Sequence, residues 1–331
     1  MRILFLASGA VAVPALRWLT NSCHEVVAVV TQPDRPAGRG RRPEPTPVKR
    51  HAAGAGLQVI QADNVNDPAV VAKLLNYRPD LGVTASFGQM IASVLLRGIP
   101  GGCLNIHPSL LPKYRGAAPV NWAIIHGETQ TGVTIIRLVE QMDAGPILSV
   151  RETMIKPCET AGELSDRLAG IACDALDAAL QQFSPGLRPP GRPQDDAQAT
   201  PAPKLTKDMG QIDLNQPAEQ IVAWVNGLSP WPAVQLDYVP KDGRPRTRVR
   251  LMRAALAGDP RTANARCGQP SPTEPPGTLL DDGTIACPDG AVRVSEIQPA
   301  GGRVMSWQDF VNGRRVQPGD RFEGVTTAPQ G

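Results

Sequence analysis

The sequence predicts an α/β domain on a parallel sheet covered on both faces, then a proline-rich linker, then a small β-barrel or sandwich, and three observations carry that prediction. Over the first 155 residues, short continuous apolar runs alternate with helix-spaced apolar patterns, which is the grammar of strands buried on both faces by crossover helices. Residues 184–203 then hold prolines at 185, 189, 190, 193, 201 and 203 among polar and small residues, a linker composition. Beyond them short strand-like runs follow at close spacing. A chain of 331 residues also exceeds one modest core and suits two domains.

In chain order, residues 2–7, 26–31, 57–61, 81–85 and 103–106 read as buried strands. Between them, residues 13–20, 68–75 and 91–96 carry apolar positions at helical spacing. Pro119 marks a helix start. Residues 132–138 and 146–153 are two further strands joined by the turn chemistry of Asp143-Ala144-Gly145-Pro146, and a helix over 161–183 closes the unit. After the linker come a short helix near 218–228 and strands at 234–239, 247–251, 277–280, 284–287 and 291–297. The expected boundaries are therefore 1–183, 184–203 and 204–325. Alternation places Arg246, Arg248 and Arg250 on one face of their strand, with Thr247, Val249 and Leu251 on the other. The nearest acids in sequence, Asp242 and Asp259, lie outside that strand.

Composition excludes several classes. With 41% hydrophobic and 20% charged residues the chain is globular and not a disordered tail protein. No apolar run reaches the roughly 18 to 20 residues of a membrane span, so no membrane association is expected. The N-terminal MRILFLASGAVAVPAL superficially mimics a signal peptide, but its apolar run is short, and Ser8-Gly9 before a helical pattern reads better as a strand-to-helix turn. Six cysteines lie far apart with no C-x-x-C pair, which argues against a zinc site or a disulfide framework and for a reducing cytoplasm. The net charge of +3 is uneven: residues 34–51 and 241–266 are strongly basic while the remainder is acidic. Two separated basic segments suit a polyanion touched at two places, or simply solvated loops of an arginine-rich protein.

In a doubly wound sheet the cleft lies outside the carboxyl ends of the strands. After the first strand comes Ser8-Gly9-Ala10-Val11-Ala12, one glycine where a dinucleotide fingerprint needs three, and no P-loop motif occurs. After the fifth strand begins, the chain reads Cys103-Leu104-Asn105-Ile106-His107-Pro108-Ser109. Asn105 and His107 are two apart and share one face, so an amide that donates to an oxyanion sits beside an imidazole that moves a proton near neutral pH. The alternative is an ordinary loop start. Asp143 is either a turn residue or the carboxylate that orients His107 and raises its pKa.

The run N-I-H-P-S-L-L-P-K-Y-R-G-A-A-P, followed by G-V-T-I-I and M-D-A-G-P-I-L, resembles the formyltransferases that use 10-formyltetrahydrofolate. T-Q-P-D-R-P-A-G-R-G at 31–40, P-T-P-V-K at 45–49, K-L-T-K at 204–207, S-P-W-P at 229–232 and S-W-Q-D-F-V-N-G-R-R near the end are similar to the methionyl-tRNA formyltransferase branch of that family. The resemblance implies a Rossmann-like doubly wound, mostly parallel N-terminal domain and a C-terminal barrel of the oligonucleotide-binding type. It implies transfer of formyl from 10-formyltetrahydrofolate to the α-amine of initiator methionyl-tRNA by a cytoplasmic monomer without metal. The catalytic positions fall on Asn105, His107 and Asp143, with His107 protonated, and folate contacts on Ser109, Leu110, Leu111 and Pro112. Arg39, Arg41, Arg42, Lys204, Lys207, Arg246, Arg248 and Arg250 become tRNA contacts. Two departures touch the pocket: Ser8-Gly9-Ala10-Val11-Ala12 lacks the family's Thr-Pro and second Phe, and Ala85-Ser86-Phe87-Gly88 stands where Ala-Tyr-Gly is common. A sugar-nucleotide N-formyltransferase would share the catalytic motif without needing the basic segments, and a non-enzymatic RNA-binding protein would need none of the three catalytic side chains.

Overall fold

A strand whose two faces are both covered can be apolar at every position, and β1 (Arg2–Ala7) is: Ile3 through Ala7 are all fully buried. The computed structural model describes residues 1–37, 42–184, 188–258 and 274–325. Along the first part of the chain run β1, α1 (Val13–Thr20), β2 (Glu25–Thr31), β3 (Arg35–Ala37), β4 (Arg42–Glu44), α2 (Pro47–Gly54), β5 (Val59–Gln61), α3 (Pro68–Asn76), β6 (Leu81–Ala85), α4 (Ser93–Gly98) and β7 (Cys103–His107). There follow β8 (Arg115–Gly116), α5 (Pro119–Ile125), β9 (Gln130–Arg137), β10 (Ile147–Met154) and α6 (Ala161–Leu180). Seven strands make one sheet in the order β10-β9-β7-β6-β1-β2-β5, in which β1, β2, β5, β6 and β7 pair in parallel and β9 runs antiparallel to β7. Leu4, Leu6, Ala28 and Val30 cluster with Val71 and Leu74 of α3 and Leu95 and Leu96 of α4. β1 lies between β2 and β6, so the strand order reverses there and opens a crevice at the carboxyl ends.

Two elements of this part carry no periodic signal. The β3/β4 hairpin is made of Arg-Pro-Ala and Arg-Pro-Glu, and α2 has Val48 as its one large apolar side chain. α2 begins because Thr46 caps it, its hydroxyl accepting from the Lys49 N–H at 3.1 Å, with Pro47 at the first helical position.

The chain divides into two compact units, one of residues 1–119, 130–153 and 165–202, the other of 120–129, 154–164 and 203–331. Within the first unit the described part of the proline-rich stretch is ordered against the sheet: Arg192 bridges Ile147, and β11 (Pro201–Ala202) pairs in parallel with β8.

The second unit continues with α7 (Ala218–Gly227), β12 (Val234–Val239), β13 (Thr247–Leu256), β14 (Ile285–Cys287), β15 (Gly290–Pro299), β16 (Met305–Ser306), α8 (Trp307–Arg314) and β17 (Arg321–Gly324). Its antiparallel sheet runs β14-β15-β13-β12-β17, with β16 on β15. The run expected as a strand at 277–280 is instead the seam that closes this sheet. Thr278 bridges Arg321 of β17 and Leu279 bridges Ile285 of β14, joining the two edges into the small barrel. Gly277 holds φ +87, and a Cβ there would lie 2.2 Å from the Phe322 carbonyl oxygen, so only glycine fits the seam. Inside, the Tyr238 ring packs against Phe310 and against Phe322, each with centroids 5.5 Å apart. Among the described residues no helix is long and apolar enough to cross a membrane.

Asn226, at the end of α7, fastens the helix to β13. Its Nδ2 donates to the Ala254 carbonyl at 2.8 Å, and the Ala254 N–H donates to its Oδ1 at 3.0 Å, all buried. Asn226→Ala leaves both backbone groups without their partner and should destabilise the barrel by about 2 to 4 kcal/mol, read as a lower denaturation midpoint of the tryptophan-fluorescence transition.

Candidate active site

Extended backbone in β7 places Leu104 and Ile106 in packing and turns Asn105 and His107 to the same side. On the parallel neighbour, Thr84 of β6 is register partner to Asn105 and donates from Oγ1 to the Asn105 Oδ1 at 2.7 Å. That bond fixes the amide orientation, so the Asn105 Nδ2 faces outward, and it donates to the Asp143 Oδ1 at 3.2 Å, 38 residues away in sequence. The Gly116 N–H donates to the other oxygen, Oδ2, at 2.9 Å. The same oxygen lies 3.6 Å from the His107 Nδ1. Amide, imidazole and carboxylate are therefore brought together, as the spacing alone could not establish. The turn that delivers Asp143 holds it at φ +50, a left-handed conformation that costs about 1 to 2 kcal/mol for a residue with a side chain and that Asp tolerates better than most.

The surroundings of the imidazole work against the expected protonated form. His107 is 3% exposed, and burial pushes its pKa below the ordinary 6.5, outweighing the upward pull of Asp143 and of the Tyr114 carbonyl. That balance favours the uncharged ring. Its Nε2 sits 2.9 Å from the Tyr114 carbonyl oxygen, which can only accept, so Nε2 carries the proton and Nδ1 presents a lone pair beside Asp143. The imidazole can thus take a proton at Nδ1, next to a carboxylate that favours the cation once formed.

The loop after β7 is tied to β9. Ser109 is fully buried, its hydroxyl donating to the Lys113 carbonyl at 2.8 Å and its carbonyl accepting from the Thr134 Oγ1 at 2.7 Å. Leu111 packs with Ile136 and Ile147. Of the four residues expected at a folate, Ser109 and Leu111 spend their side chains within the protein, while Leu110 and Pro112 are half-buried. At the atypical first turn the Ser8 and Gly9 N–H groups both donate to the Ser86 carbonyl at 3.2 Å, and a Cβ on Gly9 would lie 2.4 Å from the Ser86 Oγ. Thr84, the Gly116 N–H and the Tyr114 carbonyl complete the site, and none was marked in advance, because two are main-chain groups and the third is a strand residue with no motif of its own.

Among the basic residues, Arg42, Lys204, Lys207, Arg246, Arg248 and Arg250 are exposed, whereas Arg39 and Arg41 lie outside the described residues. The alternation at 247–251 holds, with Val249 and Leu251 fully buried. The arginine face is not free of acid, however: Asp237 of β12 is register partner to Arg248 and its carboxylate accepts from the Arg248 Nε at 3.1 Å. Among the described residues no group of three or more His, Cys, Asp or Glu is placed to hold a metal ion.

A family model described as formyl transferase matches residues 1–180, and one described as formyl transferase, C-terminal domain, matches residues 204–315. The methionyl-tRNA formyltransferase of Geobacter metallireducens is 39% identical over 322 residues, 97% of this chain and 98% of that protein. That of Roseiflexus castenholzii is 40% identical over 328 residues, 98% and 99% of the two. Among solved structures, HypX from Aquifex aeolicus in complex with tetrahydrofolic acid superposes with a TM-score of 0.59 at 19% identity, over 94% of this chain and 47% of that one, a likeness of fold. This chain spans about half the length of that one.

Because burial holds His107 below 6.5, the unfolded chain binds more protons than the folded chain as pH falls from about 6.5 towards the folded value, and stability drops through that window. The wild type should therefore lose stability faster than His107→Gln between pH 7 and the acid limb, measured as the difference between their denaturation midpoints; parallel curves would refute a buried neutral imidazole.

Proposed function

The chain belongs to the methionyl-tRNA formyltransferase family of formyl transferases, and from that premise we propose that it transfers the formyl group of 10-formyltetrahydrofolate to the α-amine of initiator methionyl-tRNA, producing formylmethionyl-tRNA for translation initiation. The observation that carries this reading is the meeting of Asn105, His107 and Asp143 at the carboxyl end of β7.

An unperturbed α-amine has a pKa of about 7.7 to 8.0 and esterification lowers it, so a neutral nucleophile is at hand without strong base. As the amine attacks the formyl carbon, the C–N bond forms and the carbonyl oxygen takes up negative charge. The Asn105 amide, oriented by Thr84, supplies a pre-set N–H donor to that oxygen. The nitrogen becomes cationic and gives its proton to the His107 Nδ1, and Asp143 stabilises the imidazolium. Collapse returns the carbonyl, breaks the bond to N10 of the folate with its electron pair, and delivers the proton to N10. The proton taken from the amine leaves on N10, so His107 is returned to its resting state.

The exposed basic residues fit a second role. Arg42 on the β3/β4 hairpin, Lys204 and Lys207 after β11, and Arg246, Arg248 and Arg250 on the barrel are the proposed contacts to tRNA phosphates, with Arg39 and Arg41 proposed on sequence alone. A sugar-nucleotide acceptor would give these charges no work.

Formyl transfer from labelled donor to charged initiator tRNA, and not to an amino-sugar nucleotide, is the direct test. Losing one oxyanion donor typically raises the barrier by about 2.7 to 4 kcal/mol, so Asn105→Ala should lower turnover roughly a hundredfold or more in single-turnover assays. Neutralising Arg246, Arg248 and Arg250 together should flatten the salt dependence of tRNA binding by about two phosphate contacts, since Asp237 already neutralises Arg248; an unchanged slope would remove this face from the interface.

A further inference from the structure

The Asp143 carboxylate is held by Asn105 and Gly116, but its position also depends on the backbone of its turn, and that backbone has a clamp of its own. We propose that Gln194 is a positioning residue for the transfer, acting through Asp143 and resting on the reading above that Asp143 serves His107.

Gln194 lies in the proline-rich stretch, 51 residues beyond Asp143 in sequence. Its Nε2 donates to the Asp143 carbonyl at 2.8 Å and to the Gly145 carbonyl at 2.7 Å. A primary amide has two N–H groups, and both are used on the two carbonyls that flank Ala144. Its Oε1 accepts from Arg115, from Nη2 at 2.8 Å and Nε at 3.2 Å. A guanidinium only donates and a carbonyl only accepts, so the two ends of this amide cannot be exchanged. Arg115 in turn pairs with Asp196 at 2.7 Å, and its neighbour Gly116 is the residue whose N–H binds the Asp143 carboxylate. Main chain and carboxylate of Asp143 are thus referenced to the same short strand, β8. The turn also passes close to β9 at Gly145, where a Cβ would lie 1.7 Å from the Arg137 carbonyl oxygen. Under these two constraints the left-handed residue has one place to sit.

Gln194→Glu separates this role from mere fastening of the stretch. The new carboxylate keeps, and strengthens, the bonds to Arg115, but sets an oxygen with no proton against two carbonyl oxygens, so the segment stays docked while the turn is released. Gln194→Met, which fills similar space and donates nothing, is the companion should the glutamate variant fail to fold. In steady-state formyl transfer to charged tRNA we expect kcat to fall about tenfold to a hundredfold with KM for folate and for tRNA nearly unchanged, since the clamp orients a reacting group and touches neither substrate. A wild-type kcat in a folded variant, or a raised KM with kcat intact, overturns the proposal. Asp143→Asn is run beside them: if it too retains full turnover, the underlying reading of the site fails, whereas an inactive Asp143→Asn with fully active Gln194 variants sinks this inference alone.

Discussion

The first unit depends on seating one nearly dry carboxylate. Asp143 is 8% exposed, and an ionised group withdrawn from water is tolerated only where hydrogen bonds replace its hydration. Those bonds come from two distant places in the chain, Asn105 on β7 and Gly116 on β8, while Gln194 holds the Asp143 backbone carbonyl from a third. Each donor requires an element to carry it, so the pairing of β6 with β7, the short β8 strand and the docked stretch before β11 all answer to this single charge.

Dryness also decides how the imidazole behaves. In open water a carboxylate beside a histidine favours the protonated ring, but here desolvation penalises the cation more than Asp143 rewards it. The balance suits a reaction in which a proton must be received and passed on. A ring charged at rest could donate to an oxyanion but could not accept from the attacking amine, whereas a neutral ring beside a waiting carboxylate does so when positive charge arrives.

Most of the sheet was legible because buried parallel strands are written as uninterrupted apolar runs, and β1, β2 and β6 have no other reading. Asn105 and His107 were legible because a period of two puts polar residues on one side of an otherwise apolar strand. What the sequence does not carry is pairing across distance. The antiparallel setting of β9 on β7, the partnership of Asp237 with Arg248 and the approach of Gln194 to Asp143 join residues with no local relation. The β3/β4 hairpin, α8 and β17 were missed for another reason: they are short or mostly polar, and their register comes from neighbours. The seam at 277–279 reads as a strand yet pairs one residue at a time, because it spans two edges instead of lying along one.

Proline-rich composition reads as a linker, and the same composition makes docking cheap. Proline offers no N–H, so a stretch rich in it has few donors to satisfy, and its restricted backbone loses less entropy on being fixed. The groups that remain are used: the Arg192 N–H and carbonyl exchange bonds with Ile147, the Thr200 carbonyl accepts from Arg115, and the Ala202 carbonyl accepts from Ala117 at 2.8 Å and Ala118 at 3.2 Å. Gly116, at φ +131, admits this close passage because a Cβ there would lie 2.5 Å from the Ala202 carbonyl oxygen. The glycine that lets the returning chain lie against β8 is therefore also the residue whose N–H holds the Asp143 carboxylate. A side chain at 116 would press on the Ala202 backbone and so disturb the residue whose N–H holds the carboxylate, which ties the geometry of the site to the course of the returning chain.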